Sequence, residues 1–273
     1  MITLNNNLSI PRIGVGTWRL RGETAMHNVC QALKAGFRLI DTAQLYENES
    51  EVGEGIRQSG VDRSEIFLTT KIATDVMRQD EASIRQSIDL SMEKLQTSYL
   101  DLLLIHWPVK DCVRKTWQIM EDYVRQGKVR SLGVSNFNPH HLDDLLAYAS
   151  IRPVINQIEV HPLMSQEENI AYNHSLGIQV QAWGPFGQGD IDVIGHPVIQ
   201  QLAAKYKKTP SQIVLRWLIQ RDLITIPRAK PSHFAENLDL QTFTLDSGDM
   251  AALNALNQNL RSNELNDPET FPW

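Results

Sequence analysis

The chain has 273 residues, 42% hydrophobic and 21% charged, with 26 basic and 32 acidic side chains and a formal charge of −6. That is the ordinary mixture for a folded globular chain, and it excludes disorder, collagen and a disulfide scaffold. The acidic balance provides no overall pull toward nucleic acid or anionic lipid.

The head, Met1 to Pro11, is short, polar and Asn-rich. It does not resemble a secretory leader and reads as a β-hairpin turning at Asn6-Asn7. Short apolar runs then alternate with amphipathic segments. Strands are expected at Ile13–Thr17, Phe37–Asp41, Ile66–Lys71, Leu100–His106, Val129–Ser135, Val154–Val160, Ile178–Trp183 and Leu223–Pro227. Most are continuous apolar runs, as strands covered on both faces should be.

Helices are expected between them. Cys30 and Cys112 fall in two of these, without metal-type spacing, as suits a reducing compartment. Gly36 and Gly127 stand where helices should stop. Ile84, Ile88, Met92 and Leu95 share one face of a helix from Glu81 to Gln96. Trp117 and Met120 read as helix core, and His140-His141 with Asp143-Asp144 as a solvated helix face. Thr209-Pro210-Ser211-Gln212 reads as an N-cap with a box-closing Gln. Beyond Asn257 the tail loses helical period.

No linker or low-complexity tract divides the chain, and no apolar run approaches the roughly 20 residues that span a bilayer. The expectation is one α/β domain over 1–273, a (β/α)8 TIM barrel with an N-terminal β-hairpin, in a cytoplasmic protein without membrane or nucleic-acid partners.

Barrels of this kind place chemistry where strands end. Strand 2 ends in Asp41, strand 3 in Lys71 and strand 4 in His106, with Tyr46 on the loop after Asp41. A phenol holds its proton at neutral pH, with an ordinary pKa of about 10. A lysine ammonium nearby should stabilise the phenolate and lower that value, and an aspartate should keep the lysine charged and aimed. Histidine adds a donor to a carbonyl oxygen. The set makes an acid for an oxyanion and lacks a nucleophile for acyl transfer. No metal is expected, because Asp41 and His106 lack a third ligand and Lys71 would repel the ion. Gly14-Val15-Gly16-Thr17-Trp18-Arg19 lacks the third glycine of a dinucleotide fingerprint.

Longer motifs carry a resemblance. Gly36-Phe37-Arg38-Leu39-Ile40-Asp41-Thr42-Ala43 continues through Tyr46 and Asn48-Glu49 to Gly53, and Leu100-Asp101-Leu102-Leu103-Leu104-Ile105-His106-Trp107-Pro108 follows. Gly133-Val134-Ser135-Asn136-Phe137 and Asn156-Gln157-Ile158-Glu159 with His161-Pro162 complete the set. The chain resembles an aldo-keto reductase, most like the bacterial diketogluconate and methylglyoxal reductases.

The resemblance implies a tetrad of Asp41, Tyr46, Lys71 and His106, with Tyr46 giving the proton. It implies NADPH, with NADH possible as a second cofactor, and a small carbonyl substrate such as methylglyoxal, a diketogluconate-like ketone or an aromatic aldehyde. Ser135, Asn136 and Gln157 would bond the carboxamide and Trp183 would stack on the nicotinamide. Thr17, Trp18 and Asp41 would line that end, with Gly184, Phe186, Ile226, Arg228, Ala229, His233, Glu236 and Asn237 along the rest of the cofactor. Trp18, Tyr46, His106 and Trp107 would wall the substrate pocket under the C-terminal tail as a lid, a C-terminal substrate loop. A monomer is implied.

Two departures concern the cofactor. After strand 7 the family's Tyr-Ser-Pro-Leu is Trp183-Gly184-Pro185-Phe186, and after strand 8 Ile-Pro-Lys-Ser is Ile226-Pro227-Arg228-Ala229. A family arginine is replaced by His233, which weakens discrimination for a 2′-phosphate. The short stretch from Pro108 to Lys110 suggests an open pocket. A nicotinamide-binding regulatory module with little turnover is the alternative, and a metal hydrolase a weaker one.

Overall fold

The computed structural model describes residues 1–271; Pro272 and Trp273 of the expected lid lie outside the described residues. The head forms the expected hairpin. Strands β1 (Ile2–Thr3) and β2 (Ser9–Ile10) pair antiparallel with Ile2 opposite Ile10. Asn7 takes a positive φ of 68° at the turn, a conformation asparagine tolerates.

Eight further strands form one parallel sheet, in chain order: β3 (Val15–Gly16), β4 (Leu39–Asp41), β5 (Phe67–Ile72), β6 (Leu102–Ile105), β7 (Leu132–Ser135), β8 (Ile155–Glu159), β9 (Gln179–Trp183) and β10 (Ile224–Thr225). The two ends of the sheet meet. Ile13 bridges Thr225 in parallel, the Gly14 amide donates to Thr225 O at 2.9 Å, and the Gly16 amide donates to Pro227 O at 3.2 Å. A Cβ on Gly16 would lie 2.8 Å from Ile226 O, so this approach needs glycine. Eight parallel strands joined end to end match the (β/α)8 expectation.

The intervening helices are α1 (Gly22–Ala35), α2 (Glu49–Ser59), α3 (Thr74–Met77), α4 (Glu81–Lys94), α5 (Val113–Arg125), α6 (Pro139–Leu146), α7 (Glu167–Ser175), α8 (Pro197–Tyr206), α9 (Pro210–Gln220), α10 (Phe234–Leu238) and α11 (Ser247–Asn254). Cys30 is buried in α1, whereas Cys112 stands at the N-cap of α5 rather than inside the helix. Among the described residues no helix is long and apolar enough to cross a membrane.

All eight expected strands are present, but several are shorter than the apolar runs that announced them. Leu100 and Val129 pair only as an isolated bridge ahead of β6 and β7. Apolarity reports burial, and burial extends past the hydrogen-bonded ladder.

The period-two alternation of the strands then divides the core. Ile40, Leu68, Leu103, Ile105 and Val134 pack outward against helices. Leu39, Phe67, Leu102, Leu104, Ile155 and Ile224 pack inward with Ile2, Leu4 and Ile10 of the hairpin. The hairpin therefore closes one end of the interior with side chains. The opposite end, where the strands run out, is left to polar residues in the same inward phase.

Candidate active site

Two residues beyond inward Leu39 lies Asp41, four beyond Phe67 lies Lys71, and two beyond Leu104 lies His106. The alternation that builds the inner core thus aims these three side chains at one another from neighbouring strands. Tyr46 arrives on a 3-10 turn at Gln44–Tyr46. That turn is held by Asn48, whose amide donates to Thr17 O and Leu20 O, both at 2.9 Å, and accepts from Thr42 Oγ1 at 2.8 Å.

Lys71 is fully buried. Its Nζ donates to Asp41 Oδ1 at 2.6 Å, Thr42 O at 2.9 Å and Tyr46 Oη at 3.2 Å. Three acceptors match the three hydrogens of an ammonium, so the pair is a lysine cation facing a carboxylate. Gln157 donates to the other Asp41 oxygen at 2.7 Å and to Gln181 Oε1 at 2.8 Å. Because Lys71 donates to the phenolic oxygen, the Tyr46 hydroxyl hydrogen is available to a second acceptor.

The electrostatics differ from the sequence expectation at one point. Burial pushes the Tyr46 phenol above its ordinary value; Lys71 pulls it down and Asp41 opposes that pull, and the net direction is up. Desolvation, absent from a reading of residue types alone, outweighs the ammonium. Lys71 also ends above its ordinary value: burial opposes its charge, and Asp41 and then Tyr46 overcome that. Burial raises Asp41 against Lys71 and Gln157. His106 is held well below the usual imidazole value by burial and then by Lys71, so its ring is neutral. Its Nδ1 has no hydrogen-bond partner among the described residues.

A cavity of about 300 Å³ opens over these groups. Asp41, Tyr46, His106, Trp18 and Trp107 line it together with Ser135, Asn136, Gln157, Trp183, Gly184 and Phe186. Asn136, at a φ of 62°, donates to His106 O and to Ser135 Oγ, each at 3.1 Å. Its Oδ1 accepts from Trp183 Nε1 at 2.9 Å, which fixes the indole. Both bonds shown for the Gln157 amide nitrogen run to protein acceptors, so Gln157 presents its carbonyl oxygen to the cavity.

Comparison with known proteins shows which enzymes are built this way. The Aldo/keto reductase family pattern matches residues 12–193. The chain belongs to the aldo/keto reductase family. Over 262 residues it is 41% identical to the glyoxal reductase of Bacillus subtilis, covering 95% of this chain and 94% of that protein. Over 274 residues it is 39% identical to the methylglyoxal reductase DkgA of Escherichia coli, covering 99% and 98%. The solved aldo-keto reductase MGS-M4, from a Medee basin deep-sea metagenome library, matches with a TM-score of 0.92 at 37% identity, covering 96% of each chain. A Bombyx mori aldo-keto reductase in complex with NADP matches at 0.91, also at 37% identity, covering 99% and 97%. This chain is accordingly an oxidoreductase of the NAD(P)H-dependent aldo-keto reductase type.

In this reductase, Ile226 and Arg228 also line the cavity. Five other residues expected at the cofactor do not reach its lining. Thr17 is buried, and its hydroxyl donates to Asp41 O at 3.0 Å. Ala229 accepts from Asn28 through its carbonyl at 2.8 Å. His233 is exposed and lies 3.0 Å from Glu236 Oε1, and Asn237 is buried in α10.

The sequence reading did not name Leu45, Pro185, Gln188 or Gly189, nor, although it set the tail over the pocket, the tail residues Asn266 and Phe271; all of these line the cavity. They lie on loops without periodicity, where no sequence pattern predicts direction. Phe271 stacks on Trp107 with centroids 3.8 Å apart, so the mouth is partly covered despite the short loop after His106. His140, His141 and Glu269 come close enough to share an ion, away from the cavity, while His141 Nδ1 accepts the Asn138 amide as part of the α6 cap.

Proposed function

We propose that this reductase converts small aldehydes and ketones to alcohols, with methylglyoxal, diketogluconate-like ketones and aromatic aldehydes as substrate classes. Hydride comes from NADPH, with NADH as a second cofactor. The observation that carries the reading is the hydrogen-bonded series Gln157–Asp41–Lys71–Tyr46, which ends in a phenol at the cavity wall. The relatives named as glyoxal and methylglyoxal reductases support the substrate class.

A nicotinamide cofactor supplies the hydride when bound. The donor set fits one. Gln157 offers a carbonyl oxygen to a carboxamide, Ser135 and Asn136 stand beside it, and Trp183 offers a fixed aromatic face. Gly184, Phe186 and Ile226 continue the wall, and Arg228 puts a cation on it for phosphate. Thr17 backs this wall through its bond to Asp41 O, and we place Ala229, His233, Glu236 and Asn237 along the cofactor beyond it. With His233 beside Glu236, Arg228 bears most of the selection for a 2′-phosphate, which favours NADPH moderately.

The substrate carbonyl oxygen sits between Tyr46 and His106. Neutral His106 can donate one hydrogen bond to it without giving up a proton. As negative charge develops on that oxygen, Tyr46 transfers its proton, and Lys71 stabilises the phenolate left behind. Asp41 keeps Lys71 charged, and Gln157 keeps Asp41 oriented. Trp18 and Trp107 exclude water from the sides. The tail forms the remaining wall as a C-terminal substrate loop. The whole chain, 1–273, is read as one (β/α)8 catalytic domain, working as a cytoplasmic monomer without nucleic-acid, membrane or metal partners.

The test is to follow oxidation of NADPH and of NADH separately, with methylglyoxal and with benzaldehyde. Turnover of both aldehydes, faster with NADPH, is expected. Cofactor binding without reduction of either aldehyde would make the chain a regulatory nicotinamide-binding module.

A further inference from the structure

The tail after α11 is rooted inside the protein before it reaches the cavity. The amides of Gln258 and Leu260 donate to Leu163 O at 3.1 and 3.0 Å, and the Ser165 amide donates to Asn257 Oδ1 at 3.0 Å. The Ser262 amide then donates to Glu159 Oε1 at 2.7 Å. Both residues are buried, Glu159 to 1% exposure and Ser262 to 5%. From there the chain carries Asn266 and Phe271 into the cavity wall. Its outer end is held at α6, where Asn138 Nδ2 donates to Glu269 Oε1 at 2.5 Å.

Glu159 is an unusual choice for a purely structural anchor. It ends β8 in the same inward phase as Gln157, opposite Trp183 in register, yet is not part of the cavity wall. His161 Nε2 lies 3.2 Å from the same Oε1. Since that oxygen accepts the Ser262 amide, His161 faces it as a donor, with its hydrogen on Nε2. Glu159 Oε2, His161 Nδ1 and Ser262 Oγ are all buried without a hydrogen-bond partner among the described residues. Burying a carboxyl with one oxygen unsatisfied costs stability, and an apolar residue would fill the space more cheaply. What the carboxyl supplies is one strong acceptor for one particular tail amide.

We propose that Glu159, oriented by His161, is a positioning residue that fixes the tail at Ser262. It thereby sets where Phe271 stands over Trp107, selecting for carbonyl substrates with an aromatic or bulky end over the smallest ones. This rests on reading the cavity as the carbonyl-reduction site. The His106 and Trp107 ring centroids lie 6.5 Å apart, and Phe271 stacks on the Trp107 ring. A two-carbon or three-carbon aldehyde held at Tyr46 and His106 would not need the tail, whereas an aromatic aldehyde would extend to it.

The experiment compares KM and kcat for methylglyoxal and benzaldehyde in the full chain and in Glu159→Ala, Glu159→Gln, Phe271→Ala and the Glu159→Ala/Phe271→Ala double variant. Glu159→Ala should raise KM for benzaldehyde about tenfold, the scale of one hydrogen bond to a charged group, with methylglyoxal kinetics within about twofold. Glu159→Gln keeps an acceptor oxygen and should restore the benzaldehyde KM. Phe271→Ala as a single change should raise the benzaldehyde KM, but should add nothing in the Glu159→Ala background, because the two act through one contact. Equal losses on both aldehydes, or additive effects in the double variant, would overturn the proposal.

Hydrogen exchange of the unsubstituted protein reads the anchor even if Glu159→Ala does not fold. The Ser262 amide should exchange far more slowly than those of Asn263 and Glu264, and equal rates would remove the anchor. If the unsubstituted enzyme reduces neither aldehyde while Ser262 stays protected, the functional reading falls and the substrate selection with it, but the anchor stands.

Discussion

Tyr46 and Lys71 share one hydrogen bond; burial holds the proton on Tyr46, whereas Asp41 and then Tyr46, acting against burial, hold it on Lys71. Both titrate above their ordinary values, so the phenol and the ammonium coexist through the neutral range. His106 shifts the other way, and its linkage has a definite sign. Its folded value lies well below the ordinary one, so between the two the unfolded chain binds a proton that the folded chain does not. Stability from this group is therefore full above about pH 6.5 and falls as pH drops toward the folded value, at about 1.4 kcal/mol per pH unit. Asp41 and Glu49, both raised by burial, take up protons in the folded chain above their ordinary values, in the opposite sense. The His106 contribution thus needs isolating by difference. Thermal unfolding from pH 7.5 to 5.5 should show a shallower loss in His106→Gln than in the unsubstituted protein, and parallel curves would contradict a neutral buried His106. That Asp41, Lys71 and His106 come together was legible because each strand end is a single position in an alternating pattern. The bond from Gln157 to Asp41 was not, since the two are 116 residues apart and only closure of the sheet joins them.

Helix packing against the sheet positions Tyr46 from outside. The turn that carries it runs into α2, and α2 lies close against α1 and α4. A Cβ on Gly53 would come within 2.5 Å of Lys94 O and 2.7 Å of Leu95 C, both backbone atoms at the end of α4. Gly53→Ala should therefore destabilise the protein by about 1–3 kcal/mol, although alanine is the better helix former. Chemical denaturation checks this, and an unchanged or raised midpoint would show that α4 yields freely. Elements of this kind were readable where chemistry marks their ends. The Thr209–Gln212 capping box is present in α9, with the Gln212 side-chain oxygen accepting from the Thr209 backbone amide and closing the first turn. Gly36 takes a φ of 112° where α1 stops. Strand limits were less readable, because apolar residues beyond the ladder are buried equally well. Leu100 and Val129 illustrate this.

Across the whole molecule the two chain ends serve opposite faces. The hairpin seals one end of the sheet's interior with Ile2, Leu4 and Ile10, and the tail crosses the other with Asn266 and Phe271. The hairpin was predictable from its turn and short reach. The course of the tail was not, because its anchors, Leu163 O and Glu159, are groups whose partners no local pattern specifies. Between these ends, the strands and the turn after β4 bring a phenol, a buried carboxylate paired with Lys71 and a neutral imidazole to a single cavity. The central claim is that this assembly reduces a carbonyl with Tyr46 as its acid. The direct measurement is single-turnover NADPH oxidation with methylglyoxal in Tyr46→Phe beside the unsubstituted protein, at matched cofactor occupancy. Removing a general acid should slow the step by about 10²–10⁴-fold while leaving NADPH affinity unchanged. An undiminished rate in Tyr46→Phe would contradict the assignment and place the proton source elsewhere in the cavity.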